Sequence, residues 1–140
     1  MLANDLVTNE IKNRAGTEVE FTRISTGPGA ETVFAQKGES PSSKHRLSIK
    51  HAEFGTGVDA RRRSLIRFDK TVGGEVDSLR ASTNSVYIVA DVNIGNLNTM
   101  IVVQDLIAEL LSFCATTGAA TTVLFDGTGN GAQALINGTT

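Results

Sequence analysis

The stretch "KHRLSIKHAEFGTGVDARRRSLIRFDK" (44–70) decides how the chain is read. Polar and apolar residues alternate along it, pass through the glycine-containing segment "FGTGVDA" (54–60), and alternate again. A period of two marks a half-buried strand, so the stretch is expected to form a β-hairpin. Successive strand side chains point to opposite faces. In the first arm Lys44, Arg46, Ser48 and Lys50 share one face, and His45, Leu47, Ile49 and His51 share the other. In the second arm Arg61, Arg63, Leu65 and Arg67 share a face, and Arg62, Ser64, Ile66 and Phe68 share its reverse. Leu47, Ile49, Ile66 and Phe68 are then the expected core side, turned toward a helix. Lys44, Arg46, Lys50, Arg61, Arg63 and Arg67 stand together opposite them.

Eight of the thirteen Lys and Arg of the chain lie in these 27 residues, against only Glu53, Asp59 and Asp69. The formal net charge is nevertheless −2, and from Asn96 to Thr140 there is no Lys or Arg at all. A concentrated patch keeps its field whatever the total charge. Like charges set opposite each other across strands are destabilising. The parity therefore points to a polyanion that neutralises them, with counterion release and salt-sensitive affinity if the anion is a nucleic acid. The competing reading is a solvated face that uses charge for solubility and to discourage edge pairing.

Working outward, "DLVTNEIKN" (5–13) and "TEVEFTRIS" (17–25) flank the turn "RAG" and read as an amino-terminal hairpin. "STGPGAE" (25–31) is a loop, "TVFAQK" (32–37) a short strand and "GESPSS" (38–43) another loop. "TVGGEVDSLRASTN" (71–84) has no sustained period and is expected to be a long, mobile connection before the β-branched strand "SVYIVADV" (85–92). The segment 93–118 carries apolar residues at Met100, Val103, Ile107, Leu110, Leu111 and Cys114, close to a 3.6-residue period. Asn96 or Asn98 is placed to cap this helix and Gly118 to end it. "ATTVLFDG" (120–127) reads as a short second helix, and the glycine-rich remainder, 128–140, as a surface tail.

The order is strands followed by helices, hence α+β: an amino-terminal hairpin and a five-stranded antiparallel sheet with carboxy-terminal helices on one face. At 140 residues one domain is expected, mainly β over 1–92 and helical over 93–127. One long helix covers only part of such a sheet. Its own apolar stripe, from Met100, Ile101, Val102 and Val103 through Leu106, Ile107, Leu110 and Leu111, is wider than one face. Both features call for a partner subunit.

Chemistry-bearing signals are weak. Cys114 is the only cysteine, so an internal disulfide is excluded, and on the helix stripe it is expected to be buried and inert. His45 and His51 fall on the apolar side of their strand and are read as structural. There is no Cys/His spacing for a metal, and no apolar run long enough to span a bilayer. The amino terminus has no signal-peptide pattern. "GTGNGA" (127–132) matches a dinucleotide fingerprint in letters only, because just eight residues follow it. No enzyme activity, cofactor, metal or small-molecule substrate is expected.

The arrangement resembles the coat proteins of single-stranded RNA bacteriophages, the leviviruses. The resemblance rests on "KHRLSIKH" and "RRRSLIRFDK" as central strands, "TVGG" (71–74) after them, the strand "NSVYIVADV" and the helix "NLNTMIVVQDLIAELLSF". It implies an interlocked homodimer in which two sheets join edge to edge and the helices exchange, with Met100, Val103, Ile107, Leu110 and Leu111 in the dimer interface. It implies assembly into an icosahedral capsid, with genomic single-stranded RNA on the inner sheet face and location in the virion. RNA contacts carried over are Lys44, Arg46, Ser48 and Lys50, with Arg61, Arg63 and Arg67. On the last strand Tyr87 is the candidate to stack on an unpaired base, with Asn84 nearby. Thr71, Val72, Gly73 and Gly74 correspond to the loop that gathers where dimers meet. The family also represses translation through an RNA hairpin, but the surplus of Arg here favours less selective phosphate contact. The alternative is a small dimeric RNA- or DNA-binding regulator that forms no particles.

Overall fold

The computed structural model describes residues 2–27, 31–118 and 122–138. The chain divides into two compact units, one of residues 1–10 and 19–97 and one of residues 11–18 and 98–140.

The first unit is a six-stranded antiparallel sheet with its strands in sequence order. These are β1 (Asp5–Leu6), β2 (Phe21–Gly27), β3 (Glu31–Gln36), β4 (His45–Phe54), β5 (Arg61–Gly73) and β6 (Ala81–Asn93). The expected central hairpin is β4 and β5, in a register that sets Leu47 opposite Phe68 and Ile49 opposite Ile66. The parity read from the sequence is the parity of the structure. On this face Phe21, Phe34, Leu47 and Leu6 are buried, and Phe21 meets Phe68 edge-on at 6.0 Å between ring centroids. His45 has the structural place expected of it. Its ring lies 5.0 Å from that of Phe21, its Nδ1 is 3.3 Å from Gln36 Oε1, and burial first and the facing Lys70 second lower its pKa.

The core is not where it was expected, however. It lies over β2–β4, whereas on the same face of β5 and β6 Ile66, Ile88 and Val86 are 46%, 41% and 65% exposed.

Two boundaries also differ from the expectation. Residues 71–73 are strand, because Thr71, Val72 and Gly73 pair with Thr83, Ser82 and Ala81. Each of β5 and β6 is thus 13 residues long. The connection shrinks to 74–80, closed by Gly74 N donating to Arg80 O at 2.8 Å. Gly74 is required there, since a Cβ would stand 2.9 Å from Asp77 O and 3.1 Å from Arg80 O. At the amino terminus the hairpin turn is correct, with Asn13 Oδ1 accepting from Ala15 N and Thr17 N. The pairing of its arms is short: β1 meets β2 only at Asp5–Thr22 and Leu6–Phe21, and among the described residues an isolated bridge joins Lys12 to Glu18. Residues 28–30 of the expected 25–31 loop lie outside the described residues.

The second unit contains α1 (Met100–Ala115) and α2 (Asn130–Asn137). The cap of α1 is Thr99, not Asn96 or Asn98, and its side chain makes no capping bond. The expected helix at 120–127 is absent from residues 122–127, and 120–121 lie outside the described residues. The second helix forms instead in the stretch read as a tail. The reason is close packing. Gly131 is buried against α1, where a Cβ would lie 2.6 Å from the Phe113 ring and 3.1 Å from Cys114 Sγ. The glycines that look like flexibility in sequence let two helices touch. Along α1 the residues Met100, Ile101, Val102, Leu106, Ile107, Leu110, Leu111 and Phe113 are all exposed.

Candidate nucleic-acid interface

The reverse face of β4–β6 is built by one register. Arg46 stands opposite Asp69, Ser48 opposite Arg67, Lys50 opposite Leu65, Ala52 opposite Arg63 and Phe54 opposite Arg61. On β6, Tyr87 stands opposite Arg67, Val89 opposite Leu65 and Asp91 opposite Arg63. The structure therefore brings Arg46, Ser48, Lys50, Arg61, Arg63, Arg67 and Tyr87 onto one side, with Lys44 just before β4. Tyr87 is 60% exposed there. Asn84 is separated from this group: it faces Lys70 and so belongs to the opposite side, one residue out of phase.

The repulsion expected from the parity is largely relieved. No two cations on this face oppose each other directly across β4 and β5. Arg61 Nε donates to Asp91 Oδ1 at 2.7 Å, and Arg63 Nη2 donates to Asp91 Oδ2 at 3.2 Å. Arg67 Nε donates to Asp69 Oδ1 at 2.8 Å, and Ser85 Oγ donates to the same oxygen. Arg46 Nη2 reaches Glu39 Oε1 at 3.2 Å. Glu31 stands across from Lys50 on β3. Six basic residues thus share the face with four acidic ones, Glu31, Glu39, Asp69 and Asp91. Lys44 and Lys50 have no carboxylate within 4.0 Å among the described residues.

The carboxylates respond to their partners. Hydrogen bonds from Arg61 and Arg63 hold the Asp91 pKa below its ordinary value. For Asp69 burial acts in the raising direction, but hydrogen bonds from Ser85 and Arg67 outweigh it and the pKa is lowered. Glu39 is lowered similarly: burial opposes, and Arg46, the His45 N–H and Lys44 prevail. Asp91 was missed in the sequence because 28 and 30 residues separate it from the arginines it pairs. The available signal was the alternation of Tyr87, Val89 and Asp91 along "YIVAD", once Tyr87 is set beside Arg67.

Between β3 and β6 the face dips into a depression of about 400 Å³ lined by Val33, Lys44, Arg46, Ser48, Arg67, Asp69, Thr71 and Thr83. It carries three cations, Lys44, Arg46 and Arg67, around one carboxylate, Asp69, a composition that favours an anion.

The fold of this chain has likenesses among solved structures of levi-like phage particles. The virus-like particle of bacteriophage EMS014 matches at a TM-score of 0.65 with 12% identity, covering 99% of this chain and 98% of that one. The virus-like particle of Beihai levi-like virus 32 matches at 0.57 with 16% identity, over 68% of this chain and 75% of that one. The virus-like particle of bacteriophage GQ-112 matches at 0.56 with 11% identity, over 96% and 92%. At these identities the likeness is one of fold. No protein-family model matches the chain, and no curated protein matches it in sequence.

Proposed function

We propose that the chain is the coat protein of a single-stranded RNA phage: a structural protein that dimerises, assembles into an icosahedral shell and holds genomic RNA on the basic face of its sheet. The observation that carries this is the end-to-end likeness of fold to the EMS014 particle, in which neither chain has a substantial part left over. Two features of the surface support it. Ile66, Val86 and Ile88 on the sheet and most of the apolar residues of α1 are exposed in a single chain, Val103 being half-buried. Covering each such side chain is worth about 1.5–3 kcal/mol, so a second copy that exchanges helices has a large driving force. On the other side, Lys44, Arg46, Ser48, Lys50, Arg61, Arg63, Arg67 and Tyr87 supply phosphate donors and a stacking ring. Asn84 is left out of this set by its face. Met100, Val103, Ile107, Leu110 and Leu111 are assigned to the dimer interface. The turn after Thr71, Val72 and Gly73, beginning at Gly74, is assigned to contacts between dimers, with Val76 and Leu79 fully exposed at its tip. Protection of RNA within the shell, with location in the virion, follows from this reading; repression of translation does not, because ion-paired arginines favour general phosphate contact over one hairpin.

Expression of the full chain in bacteria, followed by sedimentation, electron microscopy and the 260/280 nm absorbance ratio, tests the proposal. Nuclease-resistant particles with copurifying RNA are expected. Discrete dimers bound to nucleic acid would favour the regulator, and a monomer free of nucleic acid would overturn both.

A further inference from the structure

We propose that Phe54, backed by Arg63, forms a stacking site for an unpaired base of single-stranded RNA at the turn end of β4, separate from Tyr87; this rests on the RNA-binding reading above. Phe54 is the last residue of β4 and shares the basic face, because it stands opposite Arg61. Phe54 is 44% exposed, whereas Phe21 and Phe34 on the opposite face of the sheet are fully buried. Two arginines stand beside it on its own face, Arg61 opposite and Arg63 two residues on. The Arg63 guanidinium carbon lies 5.6 Å from the ring centroid, within cation–π range. Asp91 holds both Arg63 and Arg61 in place through one carboxylate. The residue two positions back on the same face is Ala52, which is opposite Arg63 and too small to fill the space beside the ring.

An exposed aromatic residue with a guanidinium group over its ring is a composition that binds single strands. The ring offers its π-face to any base, and the cations take the flanking phosphates. The site is also fixed in position. The turn that follows Phe54 is tied to the end of β6, with Ile94 N donating to Ala60 O and Asn93 Nδ2 donating to Val58 O, both at 2.9 Å. Tyr87 sits at the level of Arg67 and Phe54 at that of Arg61, six residues or about 20 Å apart along the strands. Ser48, Lys50, Arg63 and Arg67 lie on the face between them. The two rings are the ends of one track, and a short single strand reaches both.

The chain has no Trp, so Phe54→Trp introduces a single reporter whose emission responds directly to base stacking. The full-length chain, stripped of nucleic acid at high salt, is titrated with an oligouridylate and, separately, with inorganic polyphosphate, which has charge but no bases. Binding is followed independently by anisotropy or competition. The oligouridylate is expected to quench the emission, and polyphosphate to bind without quenching. Phe54→Ala is expected to weaken oligouridylate binding about tenfold, with polyphosphate binding unchanged and recovery in Phe54→Tyr but not in Phe54→Leu. Oligouridylate that binds without quenching would overturn the stacking site and leave the RNA reading intact. Quenching by both polymers would also overturn it, since charge alone would then account for the signal. Emission already shielded before any RNA is added would make Phe54 a packing contact between copies and overturn it too. Failure of either polymer to bind would end the RNA reading itself.

Discussion

The two faces of the sheet meet water in different ways. On one, arginines are spaced by carboxylates, so that Asp91 on β6 serves Arg61 and Arg63, Asp69 two residues along β5 serves Arg67, and Glu39 in the β3–β4 loop serves Arg46. The arginines of that face are ion-paired in a lone chain, while Lys44 and Lys50 have no carboxylate within 4.0 Å among the described residues. On the other, Phe21, Phe34 and Leu47 are closed over, while Ile66, Val86 and Ile88 a few residues away are open. That face is finished at one end only. A charged surface can exist without its ligand, whereas a broad apolar one draws in whatever covers it. In the proposed assembly a second copy would cover the apolar side, and the proposed RNA contact would fall on the opposite, largely ion-paired face.

The largest effect should come from charging the open apolar patch. Ile66→Asp combined with Ile88→Asp is expected to abolish particles and dimers in sedimentation analysis; an undiminished particle yield would mean that this patch faces solvent in the assembly. Next, Phe34→Ala removes a fully buried ring and should cost about 3–5 kcal/mol in urea unfolding. A cost under 1 kcal/mol would show that the closed end of the face is no tighter than the open end. Gly131→Ala comes third. Its Cβ would press on Phe113 at 2.6 Å, and a loss of about 1–3 kcal/mol is expected, read as a lower unfolding temperature.

The smallest effect tests the ion-paired face. Asp91→Asn frees two guanidinium groups for phosphate, so RNA should bind more tightly and the slope of log K against log salt should steepen by about one to two. Acid should act in the same direction. Because the Asp69 and Asp91 pKa values are lowered in the folded chain, their stabilising contribution is present above the ordinary carboxylate value of about 4 and is lost as pH falls through the lowered values. The pH dependence of urea midpoints should therefore flatten at its acid end in Asp69→Asn. An unchanged profile would show that these pairs are not linked to folding.

How legible the molecule was depends on the range of each interaction. Alternation over 44–70 needs only neighbours two apart, and it placed Leu47 with Phe68's side of the sheet and Arg46 with Arg63's. The extension of β5 through Thr71–Gly73 was not legible, because "ASTNS" is a poor strand former alone and becomes strand only by pairing, as where Thr71 and Thr83 hydroxyls meet at 2.7 Å. The pairing of Asp91 required the β5–β6 register. The helix at Asn130–Asn137 was hidden by its glycines, whose role is decided by what approaches them.

The chain's own letters determined the strand parity, the long apolar helix and the gathering of basic residues on one side, since each follows from the local geometry of a strand or helix. Tertiary structure alone decided which arginines are neutralised, which part of the apolar face is closed, and whether a glycine is a hinge or a contact. Those outcomes depend on residues tens of positions apart being brought within a few ångströms, and no local period encodes them.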